Sequence, residues 1–192
     1  MKIFKIGLAG VCVYLLVKVL TTVYFLDFGG MQYYGSGRFQ LFDHQILRDE
    51  EAYGVELEAD VISHEYKFPY LYVFGVSGYT KLNVLPGFLT DVRLEKVPNM
   101  YLQNLIDKEE GDYFFYEFTN VKRYQKAYGN KFIQYRSLND LNKEDKNEFV
   151  KLYQKGKERK EYFLKSYHLI MGRKQIFDEL DKMMLQAEDD IM

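Results

Sequence analysis

The chain has 192 residues, with 26 lysines and arginines against 28 aspartates and glutamates and a formal net charge of -2. This balance gives no long-range attraction for phosphate backbones, so nucleic acid is a disfavoured partner. The length fits one ordinary domain, 17% aromatic residues argue against disorder, and Cys12 as the only cysteine excludes an internal disulfide and a multi-thiolate metal site.

The first 28 residues predict a membrane anchor. Between Ile6 and Leu26 the only charged side chain is Lys18. A helix of about 21 residues covers about 30 Å, which matches the hydrocarbon core of a bilayer. The apolar residues contribute about -4 to -7 kcal/mol to insertion, against about +2.5 to +3.5 kcal/mol for one central lysine. We therefore expect residues 1–28 to be an uncleaved signal anchor.

Two alternatives for this segment remain open, a cleaved secretion signal and a helix buried in the core of a soluble protein. Cleavage requires small residues at alternating positions soon after the apolar run, and the sequence from Thr21 to Leu26 lacks them. Lys2 and Lys5 precede the run and Asp27 follows it. The distribution of positive charge thus places the amino terminus in the cytoplasm and the rest of the chain outside the cell membrane.

One face of the expected helix collects small and polar residues, namely Gly7, Gly10, Tyr14, Lys18 and Thr21. Small residues let helices approach closely in lipid, and a buried ammonium group usually finds a carboxylate or carbonyl. This face is a candidate surface for docking on another transmembrane segment. The alternative is that Lys18 snorkels toward the cytoplasmic headgroups.

The part after the anchor divides by pattern. Residues 29–38 are rich in glycine and predict a flexible spacer. Residues 39–136 predict the β-rich part of one domain, including a hairpin with its turn at Ser77 and Gly78. Pro69 indicates that the first strand of this hairpin begins late or lies at a sheet edge. Candidate strands cover 53–62, 66–76, 79–85, 88–97, 112–121 and 131–138, and a short helix covers 101–106.

Residues 137–192 have helical periodicity and predict the helical part of the same domain. Asn142 is a candidate N-cap for the first helix. Gly156 and Gly172 are places for a bend, so two amphipathic helices packed on the sheet are expected instead of one rod. Residues 175–187 carry the clearest helical pattern, with apolar residues along one side.

Histidines beside carboxylates are the strongest candidates for chemistry. His44 follows Asp43 and His64 precedes Glu65, whereas His168 has no such neighbour. If the two pairs converge, they could form an acid–base pair or a hydrolytic metal site. Neighbours in sequence do not aim at one target, however, so surface histidines are the expectation. No metal, cofactor or catalytic residue is expected.

The stretch FGVSGY resembles a serine nucleophile elbow only in part. Tyr79 stands where that motif requires a glycine. A hairpin turn explains Gly75, Ser77 and Gly78 better.

The sequence thus predicts an α+β protein with one N-terminal transmembrane helix, a small antiparallel β-sheet domain and two amphipathic helices. The tyrosine- and lysine-rich composition is typical of some bacterial proteins. The expected function is non-enzymatic: a membrane-anchored extracytoplasmic domain for protein–protein recognition or assembly. Its expected partners are the lipid bilayer and another membrane or cell-surface protein, with self-association left open. A membrane-anchored hydrolase using histidine and carboxylate residues, and a soluble protein with a buried N-terminal helix, are the alternatives.

Overall fold

The computed structural model describes residues 2–42, 46–52, 54–58, 61–75, 77–85, 93–98 and 121–157. Helix α1 (Lys2–Val23) opens the chain with 22 residues, a length of about 33 Å at 1.5 Å per residue. Within α1 the side chains described are those of residues 7, 8 and 10–23. Counted over described residues alone, no helix is both long enough and apolar enough to cross a membrane.

Helix α1 lies outside the packed core. Its large apolar side chains from Leu8 to Leu20 are between 48% and 61% exposed. These residues follow one another without a helical period, so they point to all sides of the helix. The large apolar side chains of α1 from Leu8 to Leu20 are therefore not covered by the described part of the domain.

The first sheet, sheet A, is an antiparallel meander in chain order. Its strands are β1 (Leu26–Phe28), β2 (Met31–Tyr34), β3 (Phe39–Phe42), β4 (Ile46–Asp49) and β5 (Val55–Glu58). Buried and less buried positions alternate along β2 and β3, as expected for a sheet with one face in the core. Tyr34, Phe39 and Leu41 lie on the buried face.

The second sheet, sheet B, has the order β10-β9-β8-β7-β6 and is mixed. Its strands are β6 (Val61–Lys67), β7 (Tyr70–Gly75), β8 (Gly78–Asn83), β9 (Leu94–Pro98) and β10 (Phe132–Gln134). Neighbouring strands are antiparallel except for β9 and β10, which are parallel. Every residue of β8 is buried, which is consistent with a strand covered on both faces.

Two helices complete the described part of the domain. Helix α2 (Val121–Tyr128) leads through a 3-10 turn, Gly129–Lys131, into β10. Helix α3 (Lys143–Lys157) begins after Asn142, whose side-chain oxygen accepts a hydrogen bond from the Asp145 N–H at 2.9 Å. Asn142 is therefore the N-cap, as the sequence predicted.

The two sheets and α2 share one core. Leu41 and Leu57 of sheet A, Leu71 and Leu82 of sheet B and Tyr124 of α2 belong to the same buried cluster. Alternate residues of β7 point to the other face of sheet B, where α3 packs.

The contact between α3 and sheet B is aromatic. Phe149 lies with its ring centroid 5.6 Å from that of Tyr72 and 5.1 Å from that of Tyr79. Tyr153 lies 6.0 Å from Phe74. The layers are therefore sheet A, sheet B and α3.

The fold confirms the α+β class and corrects its details. The expected transmembrane span stays a prediction, because no helix of the described residues meets the length and apolarity that a span requires. Two five-stranded sheets replace the small antiparallel sheet, and sheet B is mixed. The hairpin between β7 and β8 and the late start of β7 after Pro69 are confirmed. Strand and turn occupy 29–38, where a spacer was expected, because β2 pairs with both β1 and β3.

Some observed helices differ from the predicted ones, and other predicted elements lie outside the described residues. Gly156 is the last but one residue of α3 as the structure describes it, and position 172 lies outside the described residues, so a bend at either glycine stays a prediction. Helix α2 forms in a segment for which no helix was predicted. The expected helices at 101–106 and 175–187 and most of the strand at 112–121 lie outside the described residues.

Candidate functional site at the end of the N-terminal helix

The turn between β2 and β3 has an unusual backbone that brings a serine against α1. Ser36 has a φ of 60, and it is flanked by Gly35 and Gly37 with φ values of 59 and 89. A Cβ atom on Gly35 would lie 2.7 Å from the carbonyl oxygen of Val84, so only glycine fits there. The close approach of this turn to Val84 fixes the position of Ser36.

Ser36 joins the last turns of α1 through both its hydroxyl and its backbone. Its Oγ donates to the carbonyl oxygen of Lys18 at 2.9 Å, and its N–H donates to the carbonyl oxygen of Thr21 at 3.2 Å. The hydroxyls of Thr21 and Thr22 lie 3.0 and 2.7 Å from the Ser36 hydroxyl. Thr22 is only 4% exposed. The end of α1 is therefore packed against sheet A.

Sheet B contacts the same end of α1 through Tyr66. The Tyr66 hydroxyl donates to the carbonyl oxygen of Thr22. Burial raises the pKa of Tyr66 to about 12, which keeps this hydroxyl protonated as a donor over the whole neutral range. The Tyr66 ring lies 5.2 Å from that of Tyr34, which in turn lies 5.5 Å from Phe25.

We call Lys18, Thr21, Thr22, Ser36 and Tyr66 the helix–sheet junction. A helix leaves its last four carbonyls without partners inside the helix. Here the carbonyls of Thr21 and Thr22 accept from Ser36 and Tyr66. Because the donors come from both sheets, α1 is joined to the domain by direct contacts and not only by the connecting chain.

The predicted docking face of α1 divides into two parts. Nothing lies within 4 Å of a Cβ atom built on Gly7 or Gly10, and Tyr14 is 61% exposed. Lys18 and Thr21 are half-buried against the chain's own domain. The carboxyl-terminal part of the face is thus occupied within the chain, while the amino-terminal part remains open to a partner.

Of the three histidines considered in the sequence, the structure describes only His64. His64 lies on β6 with its ring centroid 6.3 Å from that of Tyr34, and the adjacent Glu65 pairs with Lys155 at 3.6 Å. Asp43, His44 and His168 lie outside the described residues, so their position relative to His64 stays a prediction. Among the residues that are described, no group of three or more His, Cys, Asp or Glu side chains could hold a metal ion.

Ser77 takes part in a buried ionic cluster at the hairpin turn. Its N–H and hydroxyl donate to Glu58 at 2.7 Å each, and Lys96 Nζ lies 2.5 Å from the Ser77 hydroxyl. Burial lowers the pKa of Lys96, and Glu58 opposes that shift. Ser77 and Lys96 are 2% and 3% exposed. A substrate has no access to this serine in the described structure, so the cluster fixes the turn, as the hairpin interpretation of FGVSGY predicted.

A second ionic cluster joins α3 to sheet B. Asp145 accepts hydrogen bonds from the Tyr72 hydroxyl at 2.8 Å and from Lys81 Nζ at 2.6 Å. Lys81 also lies 4.4 Å from the centroid of the Tyr70 ring. These contacts join α3 to β7 and β8, so the cluster contributes to the packing of α3 on sheet B.

The helix–sheet junction escaped the sequence analysis, although one signal for it was present. The sequence GSG at 35–37 indicated flexibility, yet the same three residues also suit a tight turn with left-handed backbone angles. Nothing local identified Tyr66 as a partner, because it lies 44 residues from Thr22.

The chain matches no protein-family model, no curated protein and no solved structure.

Proposed function

We propose that this protein is a single-pass membrane protein that holds an α+β domain against the outer surface of the cell membrane. In this proposal α1 is the anchor, and the domain serves non-enzymatic recognition or assembly with another membrane or cell-surface protein. The helix–sheet junction fixes the domain relative to the anchor.

The observation that carries the anchor is the exposure of apolar side chains all round α1. A helix that is apolar on every side is stable in a protein core or in lipid, but not in water. The side chains from Leu8 to Leu20 are about half or more exposed, so the described core does not cover them. A bilayer supplies the missing apolar surroundings, and the 19 residues from Lys2 to Leu20 span about 28 Å of helix.

The position of Lys18 favours this placement. It lies five residues before Val23, the last residue of α1, or about 7 Å along the helix axis. Its ammonium group can therefore reach the headgroups on the side of the domain, and the cost of a charge at the bilayer centre does not arise. This replaces the cytoplasmic snorkelling expected from the sequence with snorkelling in the opposite direction.

The orientation rests on charge. Lys2 and Lys5 lie at the free end of α1, and positive charge is retained on the cytoplasmic side. The domain at the other end of α1 is then extracytoplasmic.

The recognition role rests on two features of the described residues. The buried charges around Glu58 and Asp145 are paired with protein groups, so the domain has a rigid interior. The face of α1 with Gly7 and Gly10 is open and allows close approach of a second helix.

Membrane fractionation of the native chain tests the anchor. We expect the full-length protein to sediment with membranes, to resist a carbonate wash and to dissolve in detergent. The double variant Val13→Asp/Leu16→Asp should move to the soluble or aggregated fraction, because each central carboxylate costs about 2.5 to 3.5 kcal/mol of insertion energy. The matched control Gln125→Asp, on the exposed surface of α2, should stay with the membranes. Release of the native protein by carbonate alone would refute the proposal.

A further inference from the structure

An aromatic patch continues from α1 onto the outer face of sheet A. Phe28 pairs with Met31 across β1 and β2, and Met31 pairs with Phe42 across β2 and β3. Residues paired in this way point to the same face of a sheet. Leu26 and Tyr33 form a second pair on that face, and the Tyr33 ring lies 6.3 Å from that of Phe28. We call these residues the outer patch.

The outer patch is uncharged, and its two phenylalanines are exposed while Leu26, Met31 and Tyr33 are half-buried. Phe28 is 63% exposed and Phe42 is 47% exposed, while the opposite face of the same strands buries Tyr34 and Leu41 completely or nearly so. The side chain of Asp27 points to the opposite face of β1 from those of Leu26 and Phe28, because successive side chains of a strand alternate between faces. Asp27 therefore does not belong to the outer patch. A sheet face turned to water is normally polar, so this face requires an apolar or interfacial partner.

The face of sheet A that carries the outer patch is apolar on the strands next to α1 in the chain and charged on the later strands. The outer patch lies on β1, β2 and β3, the strands that follow α1 in the chain. On the same face of β4 and β5, Arg48 and Glu56 form an ion pair at 2.5 Å, in which the Arg48 side chain is 46% exposed and that of Glu56 is 12% exposed. The face is therefore apolar beside the anchor and charged farther away, which matches the change from lipid to water.

The distances fit the interfacial layer of a membrane. Tyr24, between α1 and β1, is 66% exposed, so an exposed aromatic side chain lies between the helix and the outer patch in the chain. Phe25 turns to the opposite face, where its ring lies 5.5 Å from that of Tyr34. Phe28 lies two residues beyond Leu26, at most about 7 Å along the strand. The headgroup layer is about 5 to 8 Å thick on each side, and aromatic side chains collect in it.

We infer that the outer patch lies on the membrane surface, with its aromatic side chains in the headgroup layer of the leaflet that α1 leaves. The inference rests on the proposed anchor and extends it, because it gives the domain a second contact with lipid. The helix–sheet junction makes this possible, since Ser36 holds the β2–β3 turn against the last turns of α1.

Tryptophan fluorescence tests this inference directly, because the chain contains no tryptophan. Full-length Phe28→Trp and Phe42→Trp variants are reconstituted into vesicles of phosphatidylcholine and phosphatidylglycerol. A matched vesicle contains phosphatidylcholine brominated near the glycerol end of the acyl chain, which quenches nearby tryptophan. We expect both variants to be quenched several-fold more than Gln125→Trp on α2, and to be protected from aqueous acrylamide.

The alternative outcomes are distinct. The inference is overturned if acrylamide quenches the tryptophans at positions 28 and 42 and bromolipid does not. Protection from both quenchers that depends on protein density shows that a second copy covers the patch, which also overturns it. Two variants are used so that a folding defect in one leaves the other to decide.

A third reporter, Leu16→Trp in α1, separates the two proposals. Quenching at position 16 without quenching at 28 and 42 leaves the anchor valid and removes the surface contact. Absence of quenching at all three positions contradicts the anchor itself.

Discussion

Asp49 has no exposed surface, and its charge is balanced inside the domain. Both of its oxygens accept from Arg38 at 3.0 to 3.2 Å, and it also accepts from the Tyr128 hydroxyl and from the Ala52 N–H. Asp49→Asn leaves a mostly buried guanidinium without its counter-charge. We expect the free energy of unfolding to fall by about 3 to 5 kcal/mol. Urea unfolding of the full chain in detergent micelles, followed by circular dichroism, measures this loss.

Glu51→Gln is the matched control for Asp49→Asn. Glu51 pairs with the same Arg38 at 3.2 Å, but its side chain is 65% exposed. An exposed pair contributes about 0 to 1 kcal/mol. Equal losses in the two variants would contradict the view that burial gives Asp49 its importance.

Tyr66 makes the helix–sheet junction sensitive to alkaline pH. Its pKa is raised to about 12 by burial, above the ordinary value of 10.0. A raised pKa means that the neutral hydroxyl is favoured in the folded state, so its stabilisation is complete below pH 10 and is lost as the pH rises through 12. We expect Tyr66→Phe to flatten the decline of stability over this window.

Unfolding measured at several pH values between 9 and 12 checks the role of Tyr66. Tyr24→Phe, which changes an exposed ring, is the control and should leave the decline unchanged. A decline that is the same in the native chain and in Tyr66→Phe would show that this hydroxyl does not hold the junction.

Residues with local partners could be predicted from the sequence, and residues with distant partners could not. Asn142 caps the helix that begins beside it, so its role follows from its place before a helical pattern. Asp49 depends on Arg38, which is 11 residues away, and on Tyr128, which is 79 residues away. No local rule connects such positions.

At the scale of elements, Gly156 sets the distance between α3 and sheet B. A Cβ atom at this position would lie 2.8 Å from Ile62 and 3.1 Å from the Phe74 ring. Alanine is the better helix former by about 1 kcal/mol, but overpacking of a tight contact costs about 1 to 3 kcal/mol. We therefore expect Gly156→Ala to be neutral to destabilising, by up to about 2 kcal/mol, in the same unfolding experiment.

Gly10→Ala provides the comparison for Gly156→Ala. Apart from the backbone of α1 itself, no atom of the described residues lies within 4 Å of a Cβ atom at position 10. This variant should be neutral or slightly stabilising because only the helix propensity changes. A clear gain in stability for Gly156→Ala would mean that α3 does not pack as closely on sheet B as the structure shows.

Elements with a strong local sequence pattern were predicted, and elements with a weak local pattern were missed. The β7–β8 hairpin was found because aromatic and β-branched residues flank a serine–glycine turn. Helix α2 was missed because its eight residues are mostly polar and only Tyr124 and Tyr128 mark its buried side. Strand β2 was missed because glycines on both sides of it resemble a spacer.

At the scale of the whole molecule, Lys18 belongs both to the proposed anchor and to the helix–sheet junction. The bonds from Ser36 and Thr22 go to the backbone carbonyl of Lys18 and not to its ammonium group. We expect Lys18→Leu to keep the helix–sheet junction and to integrate at least as well as the native chain, since the variant has no charge that must reach the headgroup layer. Carbonate extraction and thermal unfolding check both points.

One result would count against this view of Lys18, and another would refute its alternative. Loss of membrane integration in Lys18→Leu would contradict the account of the anchor. Unchanged co-purification of a membrane partner with Lys18→Leu would refute docking through the ammonium group and leave the Gly7 and Gly10 face as the candidate contact.

The architecture of the whole chain was predictable in outline only. An apolar N-terminal helix followed by an α+β domain could be read from hydrophobic patterns. The packing of two sheets on one core could not, because the sequence does not say which strands become neighbours. The direct contact of α1 with both sheets also depends on the folded geometry.

The most direct test uses Cys12, the only cysteine of the chain, which lies within α1. Sealed membranes with the native protein are treated with a membrane-impermeant maleimide before and after detergent. The account predicts no labelling of Cys12 until detergent is added, whereas a Cys12→Ser/Asn130→Cys variant, with its thiol on the exposed 3-10 turn, reacts at once from the outside. Labelling of Cys12 in intact membranes as fast as at position 130 would contradict the claim that α1 lies in lipid.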